Sequence, residues 1–380
     1  MFNEVSSFIK SLYGADHFIP LHEPRFVGNE KKYVGDCIDS TFVSSVGKYV
    51  DLFEKMLCEI TGSPHAVAVM NGTAALHMSL ILADVKKDDE VLTQALTFVA
   101  TANAISYTGA EPIFLDSDAD NLGLSPNDLQ DFLQKNAELK SDGFCYNKKT
   151  GKRIKACVPM HVFGHPVKLD EILSICKEYN IFVIEDAAES IGSYYKKKHT
   201  GTIASIGVLS FNGNKTVTAG GGGAILIQDS ELAKRAKYLT TTAKVPHKWE
   251  FFHDEIGYNY RMPNLNAALI CAQLESLETF VKNKRQTANL YREFFASTDF
   301  KFIDEPKDSE SSFWLNAIQL KDVQQRDEFL EELNANNVMT RPLWKLMPDL
   351  PAFKKFQKTD LKNAIHYEQT IVNIPSSVRL

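Results

Sequence analysis

No two of the six cysteines (Cys37, Cys58, Cys145, Cys157, Cys176 and Cys271) stand as a CxxC pair. They are scattered, several of them within apolar runs, so they read as buried thiols and not as disulfides or a metal centre, and no metal is expected. Long apolar runs are missing too. None approaches the length of a membrane span, and the first residues carry no signal-peptide pattern, so a cytoplasmic protein without a membrane partner is expected. Nor is there an excess of positive charge. Lys and Arg number 42 against 48 Asp and Glu, a formal net charge of −6. The short basic runs Lys196-Lys197-Lys198 and Lys152-Arg153 fit solvated turns, and no nucleic-acid partner is expected. Repeats and low-complexity segments are absent. What remains is an ordinary globular composition over 380 residues, 44% hydrophobic and 24% charged, enough for a large core and two domains.

The richest stretch is 205–223. An apolar strand (206–211) runs into a polar turn carrying Lys215, then into four consecutive glycines, Gly220 to Gly223, and a second apolar strand. A P-loop would need its lysine directly after a glycine and then a helix; Asn214 intervenes, and no helix survives the glycine run. A flexible linker would not be flanked by two β-type runs. A lysine at a strand end, beside backbone that a ligand can approach closely, suits a Schiff-base lysine. Taken alone, the turn fits a solvated hairpin lysine better. The choice rests on what the rest of the chain brings to it.

In chain order, residues 1–64 give irregular segments and helices. Strand 65–70 then meets a helix through Asn71-Gly72-Thr73. A helix opening there points free N–H groups at whatever occupies the strand end, and phosphate is the obvious guest; a simple Asn-Gly turn capped by Thr73 fits equally well. Strand 90–93, helix 97–107 and strand 112–116 follow. Asp116-Ser-Asp-Ala-Asp120 resembles the start of a calcium loop, but Asn121 and Asn127 replace its glycine and glutamate, which excludes it. Ser125-Pro126 opens a helix to about residue 139, and 140–155 is a surface hairpin or excursion. Strand 156–162, helix 169–179 and strand 181–184 complete the alternation of an α/β fold with a mostly parallel sheet and ligands at its carboxyl edge. The last of these strands delivers Glu185 and Asp186. Either one caps the next helix while the other faces solvent, or Asp186 pairs with a buried cation belonging to a ligand. An aromatic and polar loop fills 245–260, and the domain boundary falls in the helical region after it, giving 1–264 and 265–380.

A strand-end lysine, a strand-end aspartate and a polar helix N-terminus on consecutive units together suit pyridoxal 5′-phosphate (PLP). The sequence resembles the nucleotide-sugar aminotransferases of the DegT/DnrJ/StrS family, fold-type I PLP enzymes, from about Pro20 to the C-terminus. The resemblance rests on Asn71-Gly-Thr-Ala-Ala75, Thr97-Phe-Val-Ala-Thr101, Glu185-Asp-Ala-Ala-Glu189, Ser210-Phe-Asn-Gly-Asn-Lys215 and Gly257-Tyr-Asn-Tyr-Arg261. It implies a large domain with a mostly parallel central sheet flanked by helices, and a smaller C-terminal α/β domain. It makes Lys215 the Schiff-base lysine and Asp186 the partner of the pyridine nitrogen. Phe98 would stack on the ring, while Gly72, Thr73, Ala74 and Ser210 would hold the phosphate. Asn259 would reach the phosphate of the neighbouring subunit, which implies a homodimer with shared active sites. Many members carry Gln where this chain has Glu189, beside the ring hydroxyl and the sugar, so Glu189 is expected to be protonated or turned toward Lys215 or the sugar. The glycines after Lys215 are expected to let the chain pass close to cofactor and partner subunit.

Within the family the motifs look most similar to enzymes that aminate carbon 4 of UDP-linked 4-keto-6-deoxy-N-acetylglucosamine, on the bacillosamine and legionaminic acid routes to bacterial surface glycans. L-glutamate would convert PLP to pyridoxamine phosphate, and the keto sugar would take the amine. His161, Glu189, Arg341, Trp344 and the 244–253 loop are candidate sugar contacts, each equally open to a structural role. A different keto sugar (amination at carbon 3, or a dTDP- or GDP-linked substrate) is the alternative. Relatives that dehydrate sugars replace the lysine with histidine or bind an iron–sulfur cluster through cysteines; Lys215 and the scattered cysteines argue against both. A non-enzymatic sensor predicts loss of the lysine or the aspartate, and both are present.

Overall fold

The computed structural model describes residues 1–14 and 17–379. Its main sheet has seven strands, in the spatial order His65–Val69, Gly223–Ile227, Ile206–Ser210, Phe182–Asp186, Ile154–Val158, Glu90–Gln94 and Glu111–Leu115. Gly223–Ile227 runs against both its neighbours, and the other four pairings are parallel. Parallel neighbours need a crossover, which is why helices such as Gly72–Leu82, Val99–Tyr107 and Leu169–Glu178 alternate with the strands. The strands are apolar on both faces because both are covered. Val208 and Ile225 pack into one core, and the next residues along each strand, Leu209 and Leu226, pack into another on the opposite face. In the second core Phe53 and Phe211 meet edge to face with centroids 5.3 Å apart.

This topology brings the carboxyl ends of the parallel strands to one edge. The antiparallel strand presents its first residue there instead, so Gly223 stands between Val69 and Ser210. A Cβ on Gly223 would lie 2.4 Å from the carbonyl carbon of Asn71, and one on Gly222 would lie 2.9 Å from the Met262 methyl group. These two glycines therefore serve packing within the chain, next to the start of helix Gly72–Leu82.

A second, antiparallel sheet orders Lys301–Phe302, Asn316–Gln319, Ile371–Ile374 and Arg341–Pro342. Its core takes Val5 and Ile9 of the first helix, Phe2–Tyr13, together with Tyr291, Phe295, Ile318 and Phe329. Conversely Ala267, Cys271, Leu277 and Phe280 pack with Leu209 and Leu226 of the main sheet. Packing thus crosses the expected 264/265 boundary in both directions: an amphipathic helix shows which face it buries, not against which core.

The helix opened by Ser125 ends at Asn136, short of the expected reach to 139, because 137–139 pairs with 145–147 as the hairpin of the 140–155 excursion. All six cysteines are free thiols. Among the described residues no helix is long and apolar enough to cross a membrane. The 245–256 loop leaves Trp249, Phe251, Phe252 and Ile256 exposed, Phe251 by 80%.

Candidate active site

A cavity of about 360 Å³ opens at the carboxyl edge of the main sheet, lined by Gly72, Thr73, Phe98, Thr101, Asp186, Glu189, Ser210, Lys215, Trp314 and Trp344 among others. Five strand ends of the main sheet feed it, through Asn71 to Thr73, Phe98, Met160, Asp186 and Ser210.

Strand Phe182–Asp186 ends with two carboxylates whose side chains alternate to opposite sides. Asp186 lines the cavity, almost wholly buried. Its Oδ2 accepts from the Thr101 hydroxyl at 2.8 Å and its Oδ1 from the Ala188 N–H at 3.2 Å. Burial pushes its carboxyl above the ordinary range, opposed by those hydrogen bonds and by the charge of Lys215. Glu185 does neither of the things expected of it, since it faces no solvent and caps no helix. It accepts from the N–H groups of Gly201, Ile203 and Ala204, each at 2.6 Å, and lies 3.2 Å from His161 Nε2.

Strand His65–Val69 leads into Asn71, whose side chain caps helix Gly72–Leu82 by accepting from the Ala74 N–H at 2.8 Å. Thr73 is therefore not the cap. Among the described residues no protein acceptor meets the N–H groups of Gly72 or Thr73. They open on the cavity with the positive end of the helix behind them. Gly72 lies so close to Ser210 that a Cβ on it would come within 2.9 Å of the serine Cβ.

Lys215 stands in the turn after strand Ile206–Ser210, its Nζ 3.2 Å from Glu189 Oε1. The other oxygen of Glu189 accepts from the Phe163 N–H at 3.0 Å. Burial pushes the Glu189 carboxyl up to about 7, against the pull of the Lys215 ammonium and the Phe163 N–H. Between its unfolded value and about 7, folded Glu189 holds a proton that the unfolded chain has released. The stability this gives is full below about pH 4.5 and is lost as pH rises through about 7. Glu189→Gln removes that loss. From pH 5 to pH 8 the wild-type protein without cofactor is expected to lose roughly 3 kcal/mol more than the variant, a melting-temperature gap of about 5 °C by calorimetry. Parallel pH curves would show that Glu189 does not titrate in this range.

The cavity accordingly brings together Lys215, Asp186, Glu189, Gly72, Thr73, Ser210, Phe98 and Trp344. Phe98 is half exposed, with Trp344 edge-on to it at 6.0 Å. Four expected residues stand elsewhere. His161 is fully buried behind the cavity, Nδ1 accepting from the Val167 N–H and Nε2 facing Glu185, so it is no sugar contact. Arg341 is exposed on the second sheet, its guanidinium on the Thr340 carbonyl, and does not line the cavity. Ala74 has its N–H taken by Asn71. Asn259 is exposed outside the cavity of its own chain, accepting from Arg261. Asn71, Thr101 and Trp314 were not anticipated. Thr101, in the first turn of helix Val99–Tyr107, also lies 2.9 Å from the hydroxyl of Thr97 just before that helix.

These residues fit PLP. Among the described residues Asp186 has no cation within ion-pair distance, so its buried carboxylate lacks the partner that a protonated pyridine nitrogen supplies. The two open N–H groups and Ser210 suit a phosphate, and Lys215 offers an amine across the cavity.

The comparisons with known proteins agree with this chemistry. A model described as the DegT/DnrJ/EryC1/StrS aminotransferase family matches residues 24–380. The chain is 36% identical over 360 residues to a protein of Escherichia coli O157:H7 named GDP-perosamine synthase, across 94% of this chain and 93% of that protein. It is 37% identical over 336 residues to the putative pyridoxal phosphate-dependent aminotransferase EpsN of Bacillus subtilis (strain 168), across 88% and 84%. Among solved structures, the aminotransferase TlmJ from Streptoalloteichus hindustanus matches with a TM-score of 0.85 at 26% identity, over 94% of this chain and 93% of that one.

Proposed function

Because the chain belongs to the DegT/DnrJ/EryC1/StrS aminotransferase family, and is with it a PLP-dependent sugar aminotransferase, we propose that it moves the amino group of L-glutamate to carbon 4 of a nucleotide-linked 4-keto-6-deoxy sugar. The observation that carries this reading is the convergence on one cavity of an amine, an unpaired buried carboxylate and two open helix N–H groups. When bound, PLP supplies an aldehyde carbon that takes up and releases amino groups, and a ring that accepts electrons from the carbon being deprotonated. The chain's residues do the rest. Gly72, Thr73 and Ser210 hold the phosphate. Asp186 would keep a proton on the pyridine nitrogen, its ionised carboxylate accepting the hydrogen bond from that N–H. Phe98 covers one ring face and excludes water. Lys215 Nζ binds the cofactor and then carries the proton between donor carbon and cofactor. Glu189, whose carboxyl burial raises to about 7, accepts at Oε1 from that amine. With Trp344 it faces the sugar.

The relative named GDP-perosamine synthase favours a GDP-linked substrate, and the motif resemblance leaves a UDP-linked one as the second reading. A second copy of the chain completes the site in this proposal. The exposed Trp249, Phe251 and Ile256 are the kind of apolar surface a monomer rarely leaves uncovered, and Asn259 on the same excursion reaches the partner's phosphate site. Purified protein is expected to sediment as two chains. With glutamate it should convert the GDP-linked 4-keto-6-deoxy sugar to an amino sugar, detected by mass spectrometry alongside 2-oxoglutarate, faster than the UDP- and dTDP-linked sugars. Conversion of none of the three would overturn the substrate assignment, and preference for UDP would restore the second reading.

A further inference from the structure

Lys215 is reached by more than Glu189. The ring centroid of Trp314 lies 3.9 Å from the lysine Nζ, and the indole Nε1–H donates to the carbonyl of Asn214, the residue before the lysine, at 2.7 Å. One side chain thus meets both the amine and the turn that carries it. Trp314 comes from the segment leading into the second sheet and is itself almost wholly buried.

Its placement is built in from several sides. The Trp314 carbonyl accepts from Lys284 Nζ at 3.1 Å, and the same ammonium donates to the Ser376 carbonyl at 2.5 Å. Lys284 is completely buried with no carboxylate in ion-pair distance among the described residues, and burial pushes it down to about 7. Holding a lysine there is costly, and the carbonyls it ties together are those flanking the second sheet. On the opposite side, Gly164 has φ +96°, and a Cβ there would come 2.8 Å from Ser312 Oγ and 3.2 Å from the Trp314 nitrogen. The Ser312 N–H donates to Ser193 Oγ at 2.9 Å, and Ser311 Oγ donates to the Gly164 carbonyl at 3.0 Å. The segment 311–314 is therefore pinned against the same loop whose Phe163 N–H orients Glu189.

We propose that Trp314 is a positioning residue for Lys215: its π face and Glu189 together receive the free ammonium, and its N–H fixes the lysine turn, so that the amine stays within reach of the cofactor while not bonded to it. The proposal rests on the reading of Lys215 as the residue that binds PLP. A cation over an indole face is attracted by the ring quadrupole, the more so between two buried side chains such as Trp314 and Glu189. An aminotransferase has particular need of such a seat, because its lysine is released in each half of the reaction and must return. Glu189 alone holds the charge at one point; the ring adds a wall that keeps the four-carbon stem from swinging into the substrate space.

The test uses full-length protein stripped of PLP and follows both the rate at which added PLP is captured on Lys215, from its visible absorbance, and the steady-state constants of the reloaded enzyme. Trp314→Phe keeps a π face and loses the N–H; Trp314→Leu loses both. Trp314→Met, which fills much of the volume without a ring, replaces the leucine variant should that not fold. For Leu or Met, capture and kcat are each expected to fall about 10- to 30-fold, with KM for the sugar nucleotide within about threefold. Phe is expected to recover most of both. Capture by the Leu or Met protein within twofold of wild type overturns the proposal, and an equal loss in the Phe protein overturns the part given to the π face. If borohydride fixes no PLP on Lys215 of the wild-type protein, it is the underlying reading of the lysine that fails.

Discussion

Lys215→Ala is expected to lower turnover by about four orders of magnitude or more while leaving the chain folded. On the proposed function the variant removes the nucleophile that would bind the cofactor and the base that would move the proton, and Glu189 makes no substitute because an acid there forms no covalent bond to an aldehyde. Stability should survive. Lys215 is held by Glu189 and by the indole of Trp314 and crosses no apolar core. When the ammonium is gone, Glu189 keeps the Phe163 N–H and takes up a proton, which its burial already favours near neutrality. Lys215→Arg is the control, since it retains the cation for Glu189 and Trp314 but offers no amine to bond with at neutral pH. Both variants should lack the visible absorbance of covalently held PLP and yield no labelled peptide after borohydride reduction. A small primary amine in the buffer should restore part of the activity of the alanine variant. Turnover by Lys215→Ala within tenfold of wild type would remove this residue from the chemistry.

The residues legible in the sequence share one property: each ends or follows a strand whose carboxyl end lies at one edge of the main sheet. Lys215, Asp186 and Asn71-Gly72-Thr73 can be gathered from the order of strands and helices because such a sheet delivers its strand ends to one edge. A strand end alone does not say where its side chains go, and two residues are misplaced on that account. Glu185 and Asp186 are neighbours, so the period of two sends them to opposite sides. Asp186 reaches the cavity, while Glu185 ties down Gly201, Ile203 and Ala204. His161 belongs with Glu185 on that inner side, which is why it is no sugar contact. Trp314 left no local trace at all. It reaches Lys215 only because the segment before Asn316–Gln319 is drawn over the cavity by Gly164, Ser193 and Lys284, contacts between parts of the chain remote in sequence. The packing of the first helix is illegible for a related reason: Val5 and Ile9 announce a buried stripe, but the second sheet that buries it begins at Lys301.

Asp186→Asn is expected to reduce kcat/KM by about 30- to several thousandfold, the effect of truncating one partner of a buried charge pair. In size and shape the change is small, so the loss would be electrostatic. The carboxylate accepts from Thr101 at Oδ2 and from Ala188 at Oδ1, leaving its charge to face the cavity. An amide has one oxygen for those two donors, and its NH2 group must then face the Thr101 hydroxyl, the Ala188 N–H or the pyridine nitrogen. In the last case the ring loses its proton and with it the ability to accept electrons. Cofactor affinity should fall as well, measured by equilibrium dialysis. Stability should move the other way. Burial raises the Asp186 carboxyl above its ordinary range, so ionised Asp186 opposes folding when no cofactor is present, increasingly as the pH rises. Without PLP, the Asn variant is therefore expected to melt at or above the wild-type temperature at pH 8, while with PLP the order reverses because wild type gains more from binding. That crossing separates an aspartate kept for the cofactor from one kept for the fold. A variant that melts below wild type in both states, with kcat/KM little changed, would assign Asp186 to structure.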